Sequence, residues 1–478
     1  MLFNSLEFAI FLPIVFLLYW FATKGNMKIQ NLLLLISSYF FYSCWDYRFL
    51  FLLIFSTVLD YVTGLKMHDA KSEGLKKFWF WLSITINLGF LGVFKYFNFF
   101  ADSFAEALSL VGFQADVWTL KVILPVGISF YTFHGLSYVI DIYKNRIKPE
   151  RNFIDYSVFV SFFPLLVAGP IERATHLLPQ IQRKRQFNSQ NAVDGLKQIL
   201  WGLFKKMVIA DNCAIYANMV FNDSSEYSGS THVVAAIFFA FQIYGDFSGY
   251  SDIALGTARL FGIDLLRNFA FPYFSRDIAE FWRRWHISLS TWFRDYLYIP
   301  LGGSKGGTWM RIRNTFIIFL VSGFWHGANW TFIVWGFLNA LFILPSILFS
   351  TNRNHLDIVA QGKTFANFKE IGAILVTFSL TVLGWIFFRA DNLTDAFAFI
   401  GKIFSISVFS KPEGITNSTV WLLVAFIVME WLGREEQYAI AKTGINWPKP
   451  LRWIFYYVIV IVIFEYRGIS QQFIYFQF

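Results

Sequence analysis

Apolar stretches recur along the whole chain, and most are close to the ~20 residues that a helix needs to cross a bilayer. The first, MLFNSLEFAIFLPIVFLLYWF, lacks the basic start and the small-residue cleavage site of a secretory signal, so we expect it to be retained as a span. The others lie at about residues 29–45, 48–65, 78–100, 119–143, 153–171, 195–220, 231–247, 314–349, 370–388, 419–433 and 451–466. The pattern predicts an all-α, polytopic integral membrane protein with about eleven transmembrane helices.

The charges between these stretches predict how the chain is oriented. Segments 64–77 and 144–151 each contain four lysines or arginines, whereas 101–118 and 222–230 contain acidic residues but no lysine or arginine. Because cytoplasmic loops carry an excess of Lys and Arg, the first pair is predicted to be cytoplasmic and the second pair external. The N-terminus is therefore expected on the extracytoplasmic side.

Residues 152–172 do not fit a simple span. They lie between two basic segments, 144–151 and 173–185, which a single crossing would place on opposite sides of the membrane. The stretch also contains two prolines and a glycine. We therefore expect a re-entrant or half-crossing element that is buried in protein, where irregular backbone is tolerated at membrane depth.

The composition supports lipid as the main solvent of this chain. Hydrophobic residues make up 56% of the 478 residues and charged residues only 15%, against about 25% charged in an average soluble domain. This balance excludes a soluble globular enzyme, a disordered chain and a disulfide scaffold. We find no internal repeat, Pro/Gly-rich linker or soluble domain, so residues 1–478 are predicted to form a single membrane domain.

The net charge of +9 is assigned to cytoplasmic loops and anionic headgroups rather than to nucleic acid. Cys44 and Cys213 show no CxxC spacing, and the sequence contains neither an HExxH or HxxxH pair nor a P-loop. No metal site or nucleotide-hydrolysing site is therefore predicted. Ser248 and Ser251 lack the flanking glycines of a GxSxG serine nucleophile.

The densest group of charges is RDIAEFWRRWHISLSTWFRDYLY, residues 276–298. Read at helical period, its aromatic residues form one broad face and its charges lie largely elsewhere, with Glu280 and Arg284 spaced to pair. We expect an interfacial or protein-buried helix near the cytoplasmic side, and the pattern alone favours a surface amphipathic anchor. His286 lies within this run, where a lone histidine is more often structural than catalytic.

His326 is the stronger candidate for chemistry. It interrupts an apolar run in SGFWHGANW, with Gly323 and Gly327 beside it. Glycines allow other backbone or a ligand to approach closely, and they are poor fillers of lipid-facing space. A neutral imidazole in a dry site can remove a proton from a hydroxyl near neutral pH, because its unperturbed pKa is about 6.5.

An ordered set of motifs resembles the membrane-bound O-acyltransferase (MBOAT) family, in the bacterial branch that includes the alginate O-acetylation membrane subunit. The motifs are PVGISFYTFHGLSYVIDIY at 125–143, FFPLLVAGPIER at 162–173, DFSGYSDIALG at 246–256, NFAFPYFSRDIAEFWRRWHISLSTWFRDYLYIPLGG at 268–303, GFWHGANWTFIVWG at 323–336 and GWIFFRA at 384–390. The resemblance extends from the first span to at least residue 390. It implies helices around a central tunnel, with the WHG histidine, here His326, as the catalytic residue. It also implies a second polar residue about forty positions upstream, which matches His286.

The resemblance further implies an acyl thioester donor from the cytoplasm, either acetyl-coenzyme A or an acyl carrier protein, and no tightly bound cofactor. In this hypothesis His326 acts as general base and His286 polarises the donor or stabilises negative charge. Four basic residues would attract the phosphates of the donor: Arg283, Arg284, Arg294 and Lys305. Alternatively, these residues anchor a helix to anionic headgroups. Further candidates for substrate binding are Trp325, Asn329, Ser290 and Asp295, of which Asp295 is equally suited to an ion pair with Arg294.

The predicted function is O-acetyl transfer across the bacterial inner membrane toward an alginate-like polysaccharide, through a periplasmic acetyltransferase partner. Two alternatives remain open at this point. One is D-alanyl transfer, or acylation of a protein or of peptidoglycan, on the same fold. The other is a transporter or flippase, in which buried histidines would relay protons.

Overall fold

The computed structural model describes residues 1–113, 125–469 and 471–474. Within these ranges all regular structure is helical, as the sequence predicts. The first residues of the apolar stretch 119–143 and the last residues of the loop 101–118 lie outside the described part of the chain. The helices fall into two compact units, while the predicted single domain over residues 1–478 stays a prediction.

The first unit comprises Met1–Asn191 and Ala258–Leu266. Its helices are α1 (Leu6–Leu17), α2 (Met27–Ser43), α3 (Tyr47–His68), α4 (Glu73–Leu91), α5 (Phe97–Leu110), α6 (Ile128–Tyr143), α7 (Phe153–Ser161) and α8 (Ala174–Gln182). Several begin at side-chain caps that the sequence supplies, such as Asn26 before α2 and Ser72 before α4. These caps satisfy amide groups that the first helical turn leaves without partners.

The second unit comprises Ala192–Thr257 and Arg267–Phe478. Its helices are α9 (Ser189–Phe204), α10 (Asp211–Asn222), α11 (Gly229–Leu260), α12 (Ile278–Arg284), α13 (Ile287–Phe293), α14 (Gly307–His326), α15 (Trp330–Leu348), α16 (Phe368–Arg389), α17 (Leu393–Ile403), α18 (Asn417–Leu432) and α19 (Lys449–Tyr466). The first residues of α9 and the last residues of α11 lie outside these limits.

Five helical segments of the described chain are both long enough and apolar enough to cross a membrane. They are Tyr47–His68, Glu73–Leu110, Gly229–Leu260, Trp330–Leu348 and Phe368–Arg389. Two shorter apolar helices lie at Leu6–Ala22 and Asn417–Leu432. The chain is thus a helical membrane protein, and the total of about eleven crossings stays a prediction.

The irregular stretch at 152–172 contains α7, which has nine residues and is about 14 Å long at 1.5 Å per residue. Buried turns follow α7, and their backbone finds partners in protein, since the amide of Phe163 donates to Ser38 Oγ at 3.0 Å. The side chain of Asn31 on α2 donates to Asp155 on α7 at 2.8 Å. The stretch is thus buried in protein, while the re-entrant or half-crossing path stays a prediction.

The apolar stretch predicted at 314–349 is two helices, α14 and α15, rather than one. The chain turns at Gly327, which is extended, and Asn329 caps α15 by accepting from the amide of Thr331 at 3.0 Å. The two helices approach closely at glycines, because a Cβ on Gly323 would lie 2.2 Å from the carbonyl oxygen of Phe332. This turn leaves His326 at the C-terminal end of α14.

Candidate active site

A cavity of about 310 Å³ in the second unit is lined by both predicted histidines. Its walls come from α12, α13 and α14, from the residues between α12 and α13 and directly after α13, and from one residue each of α15 and the segment after it. The lining residues are Ala279, Trp282, Arg283, Trp285, His286, Leu289, Ser290, Phe293, Arg294, Tyr298, Thr315, Ile318, Phe319, Ser322, His326, Ile343 and Asn352. Two imidazoles that are forty residues apart in sequence therefore face the same space.

The backbone at His286 corrects the expectation of one helix over 276–298. His286 adopts a left-handed conformation with φ of +43°, and it separates α12 from α13. The amide of Ile287 donates to the carbonyl of Asn268 at 2.9 Å instead of continuing α12. The ring of His286 is buried and packs edge-on against Phe247, with centroids 4.7 Å apart. The helix break places the imidazole at the cavity wall.

Asn268 holds this break in place, and the sequence analysis did not single it out. Its side chain donates to Ser251 Oγ at 3.2 Å and accepts from Ser288 Oγ at 2.6 Å. Asn268 thus connects α11 to the first turn of α13, beside His286. The signal in the sequence is a polar residue, Asn268, at the start of the aromatic motif NFAFPYF.

His326 is buried at the end of α14 and lies among aromatic rings. Its centroid is 5.1 Å from that of Trp335 and 5.2 Å from that of Phe388, a residue of the GWIFFRA motif. Trp325 contacts both imidazoles, with centroid distances of 4.9 Å to His326 and 6.2 Å to His286. These rings restrict the orientation of the two imidazoles.

The glycines beside His326 serve helix packing in this structure. Gly323 faces the backbone of α15, and a Cβ on Gly336 would lie 2.3 Å from the carbonyl oxygen of Phe319 on α14. Gly327 lies against the ring of Phe332, which a Cβ there would approach to 2.1 Å. The sequence predicts that other backbone or a ligand lies close to these glycines, and in the structure the close neighbours are protein atoms of α14 and α15.

The predicted basic residues have different environments. Arg283 lines the cavity and donates to the carbonyls of Asn352 and His355, each at 2.7 Å. Arg294 also lines the cavity and pairs with Asp295 at 2.7 Å, which is the ion pair that the sequence allowed.

Arg284 is not among the residues that line the cavity, and its side chain is held elsewhere. The predicted pair of Glu280 and Arg284 is confirmed at 2.8 Å, and Arg276 adds a second ion pair to the same carboxylate at 3.1 Å. Arg276 also pairs with Asp357 at 2.9 Å. These contacts fix α12 against the segment that follows α15.

The remaining candidates divide between the cavity and other positions. Ser290 lines the cavity, and its hydroxyl donates to the carbonyl of Trp285 at 3.4 Å. Asn329 caps α15 and donates to the carbonyl of Asp391 at 2.7 Å, so its side chain has a structural role. Lys305 is exposed in the turn before α14 and is not one of the lining residues.

The C-terminal segment packs behind His286, a feature that the sequence analysis missed. The ring of Phe473 lies 4.9 Å from that of Tyr250 and 6.5 Å from that of Phe247. The amide of Ile474 donates to Asp246 at 2.7 Å, and the same carboxylate pairs with Lys206 at 2.8 Å. The DFSGYSD motif thus anchors the C-terminal segment.

Burial determines the protonation of His286. Because desolvation disfavours the imidazolium, burial lowers the pKa of His286 to about 3. The ring is therefore neutral near pH 7, when one nitrogen donates a hydrogen bond and the other accepts one. Among the residues that the structure describes, no group of three or more His, Cys, Asp or Glu side chains is arranged to hold a metal ion.

Comparisons with known proteins identify similar sequences. Residues 144–383 match the family model described as MBOAT, membrane-bound O-acyltransferase family. The chain is 38% identical over 446 residues to the "Probable alginate O-acetylase AlgI" of Pseudomonas aeruginosa, covering 92% of this chain and 82% of that one. It is 38% identical to the "Peptidoglycan O-acetyltransferase" of Helicobacter pylori, with 83% and 78% covered. It is 26% identical to the "Teichoic acid D-alanyltransferase" of Bacillus subtilis, with 55% and 68% covered.

Proposed function

The chain belongs to the membrane-bound O-acyltransferase family, and from this premise we propose that it transfers acetyl from a cytoplasmic thioester toward an extracytoplasmic polysaccharide, through a periplasmic partner. Two relatives that are 38% identical to it are named as O-acetylating enzymes of glycan polymers. The observation that carries the mechanism is the cavity shared by His286 and His326. A general base and a second polar group on one cavity are the minimum that acyl transfer to an alcohol requires.

In the proposed step, His326 accepts the proton of the acceptor hydroxyl while the oxygen of that hydroxyl attacks the thioester carbonyl carbon. The C–O bond forms, the C–S bond breaks, and the proton passes to the leaving thiolate. His286 is neutral and donates a hydrogen bond to the carbonyl oxygen, on which negative charge develops. Ser290, on the same wall, is positioned to bind either substrate.

The size of the cavity favours a small acyl group. Ligand pockets span roughly 300–1,000 Å³, and this cavity of about 310 Å³ lies at the lower end of that range. Its aromatic wall residues, including Trp285 and Phe293, provide an apolar surface for the methyl group of acetyl. The acceptor hydroxyl is proposed to come from a periplasmic partner that passes acetyl on to the polymer.

The donor is proposed to be acetyl-coenzyme A or an acyl carrier protein thioester. Arg283 and Arg294 line the cavity and are the proposed contacts for a phosphate of the donor, with exposed Lys305 as a more distant attraction. Arg284 instead stabilises α12 through Glu280. The chain is proposed to lie in the bacterial inner membrane with its N-terminus on the extracytoplasmic side.

D-alanyl transfer is the second candidate because a D-alanyltransferase is among the relatives. That relative is less similar than the O-acetylating ones, at 26% against 38% identity. Peptidoglycan is an acceptor that the sequence similarity supports as well as it supports alginate. The direct test of acceptor choice is to supply alginate oligomers and peptidoglycan fragments side by side with labelled donor.

The proposed function is tested with the purified chain in lipid nanodiscs and [¹⁴C]acetyl-coenzyme A, or the matching acyl carrier protein. The wild type is expected to release or transfer labelled acetyl, and His326→Ala is expected to lose this activity. His68→Ala is the matched control, because His68 is exposed at the end of α3. Equal activity of His326→Ala and the control, at equal folded protein, would reject the assignment.

A further inference from the structure

A second cavity, of about 390 Å³, lies in the first unit, where the segment after α8 meets the residues that follow α11. Four cationic side chains line it, Arg183, Lys184, Arg185 and Arg259, together with the single carboxylate of Asp264. Three side-chain amides contribute further hydrogen-bonding groups to its wall. A cavity with this excess of positive charge and these donors is suited to an anion.

Arg185 is the fixed element of this cavity. Its side chain is 4% exposed, it bonds to Asn31, and its guanidinium lies 5.7 Å from the ring centroid of Tyr19. Its Nε is buried and has no hydrogen-bond partner among the described residues. The contacts with Asn31 and Tyr19 hold the positive charge of Arg185 at a fixed position in the cavity wall.

The remaining wall is preorganised by a backbone contact. The Gln180 side chain accepts from the amide of Asp264 and donates to its carbonyl, both at 2.9 Å. This pair fixes the turn after α11 against α8, next to Arg259 in the last turn of α11. Arg183 and Lys184 are exposed. Their charges therefore remain accessible to an incoming ligand.

The aromatic residues beside the cavity are typical of the surface of a membrane. Trp20 lies at the end of the apolar helix Leu6–Ala22 and donates to the carbonyl of Leu260 at 2.9 Å. Phe187, which lines the cavity and is 53% exposed, packs edge-on against Trp20 with centroids 5.5 Å apart. Tryptophan is enriched where apolar helices meet headgroups, and basic loops mark the cytoplasmic face.

We propose that this cavity binds a phosphate group at the cytoplasmic membrane surface, supplied by the headgroup of an anionic glycerophospholipid or by coenzyme A. The forked guanidinium groups match phosphate oxygens, and Lys184 adds a point charge. Basic pockets between membrane helices on this face are suited to anionic headgroups. The proposal goes beyond the acyl-transfer mechanism and does not depend on the role of His326.

The test measures binding to the full-length chain by native mass spectrometry and calorimetry, with dioctanoyl-phosphatidylglycerol and coenzyme A as separate probes. The variant Arg183→Gln/Lys184→Gln/Arg259→Gln removes three cavity charges. The control Lys66→Gln/Lys71→Gln/Lys77→Gln removes three exposed charges from the segment 64–77, which is predicted on the same face. Lys184→Glu, a single change at an exposed position, is measured alongside in case the triple variant does not fold.

Each basic residue near the membrane surface changes the affinity for an anionic ligand by about fivefold. The triple variant is therefore expected to bind each probe roughly 100-fold more weakly than the wild type, whereas the affinity of the control should fall by less than about twofold. Loss of phosphatidylglycerol binding alone assigns the cavity to a lipid headgroup. Loss of coenzyme A binding alone assigns it to the donor, and loss of both supports a general phosphate site. If neither affinity falls below the control in the triple variant or in Lys184→Glu, the proposal is overturned. Phosphatidylglycerol binding is expected to be unchanged by His326→Ala, so this readout is independent of the proposed catalytic role.

Discussion

Replacing Gly323 by alanine is expected to open the contact between α14 and α15 and to displace His326. A Cβ at this position would lie 2.2 Å from the carbonyl oxygen of Phe332 and 3.1 Å from its carbon. Close carbon–oxygen contacts in proteins lie at about 3.3 Å, so the helices must separate by roughly 1 Å. No side-chain rotation relieves this clash, because the obstructing atoms belong to the backbone of α15.

The size of the effect follows from that displacement. Overpacking of this kind destabilises a protein by about 1–3 kcal/mol. His326 lies three residues after Gly323 on the same helix, and a shift of about 1 Å in a catalytic group can reduce the rate roughly 100-fold. The variant Gly323→Ala is therefore expected to lose acyl transfer out of proportion to its loss of stability.

Gly372→Ala is the matched control, since Gly372 lies inside α16 and a Cβ there would meet nothing within 4 Å. Alanine is preferred to glycine inside a helix by about 0.5–1 kcal/mol, so this variant should be as stable as the wild type or slightly more stable. Thermal unfolding in detergent and the rate of label transfer are measured for both variants. If Gly323→Ala matches Gly372→Ala in both, the α14–α15 contact does not position His326.

Two further variants test the protonation of His286 and the ion pairs of α12. Because burial lowers the pKa of His286 to about 3, the unfolded chain binds a proton below pH ~6.5 that the folded chain does not, and stability falls as the pH falls. Between pH 7 and pH 5 the free energy of unfolding of the wild type, measured in detergent, should fall by about 2 kcal/mol more than that of His286→Asn. An equal dependence of the free energy of unfolding on pH in the two proteins would contradict the burial argument. Glu280→Gln leaves Arg276 and Arg284 without their shared carboxylate and should lower the free energy of unfolding by about 3–5 kcal/mol. Glu436→Gln removes the carboxylate of a partly exposed pair with Lys442 and should cost about 0–1 kcal/mol. Similar unfolding temperatures for these two variants would show that the α12 network contributes little.

The class of fold could be predicted from the sequence because lipid imposes a simple pattern. Apolar length alone indicates helices such as α3 and α16. Such properties belong to contiguous residues, so the printed sequence contains them directly. The re-entrant element expected at residues 152–172 stays a prediction, and the structure shows there the short helix α7 followed by buried turns.

The details of the site could not be predicted in the same way. Helical period gave no sign that α12 and α13 are separated at His286, because Asn268, eighteen positions earlier, supplies the hydrogen bonds that stabilise the break. The docking of Phe473 near His286 likewise depends on partners more than 200 residues away in sequence. Contacts between distant residues leave no local period, and only the folded chain reveals them.

The roles of individual charges were also beyond the sequence. Arg283, Arg284 and Arg294 look equivalent in the motif WRRWHISLSTWFR, yet Arg284 is committed to Glu280 while the other two line the cavity. Which arginine faces the cavity depends on the rotation of each short helix. That rotation is set by the break at His286 and by the ion pairs to the segment after α15.

The central claim is that His286 and His326 act together on one thioester in one cavity. The most direct measurement is a double-mutant cycle on the rate of acetyl transfer, with His326→Ala, His286→Asn and the variant that carries both. Loss of a general base should reduce the rate by about 1,000-fold and loss of the hydrogen-bond donor by about 100-fold. Because residues that act as a unit are not additive, the double variant should be about as slow as His326→Ala. Near-full activity in His326→Ala, or two losses that simply multiply, would contradict the account.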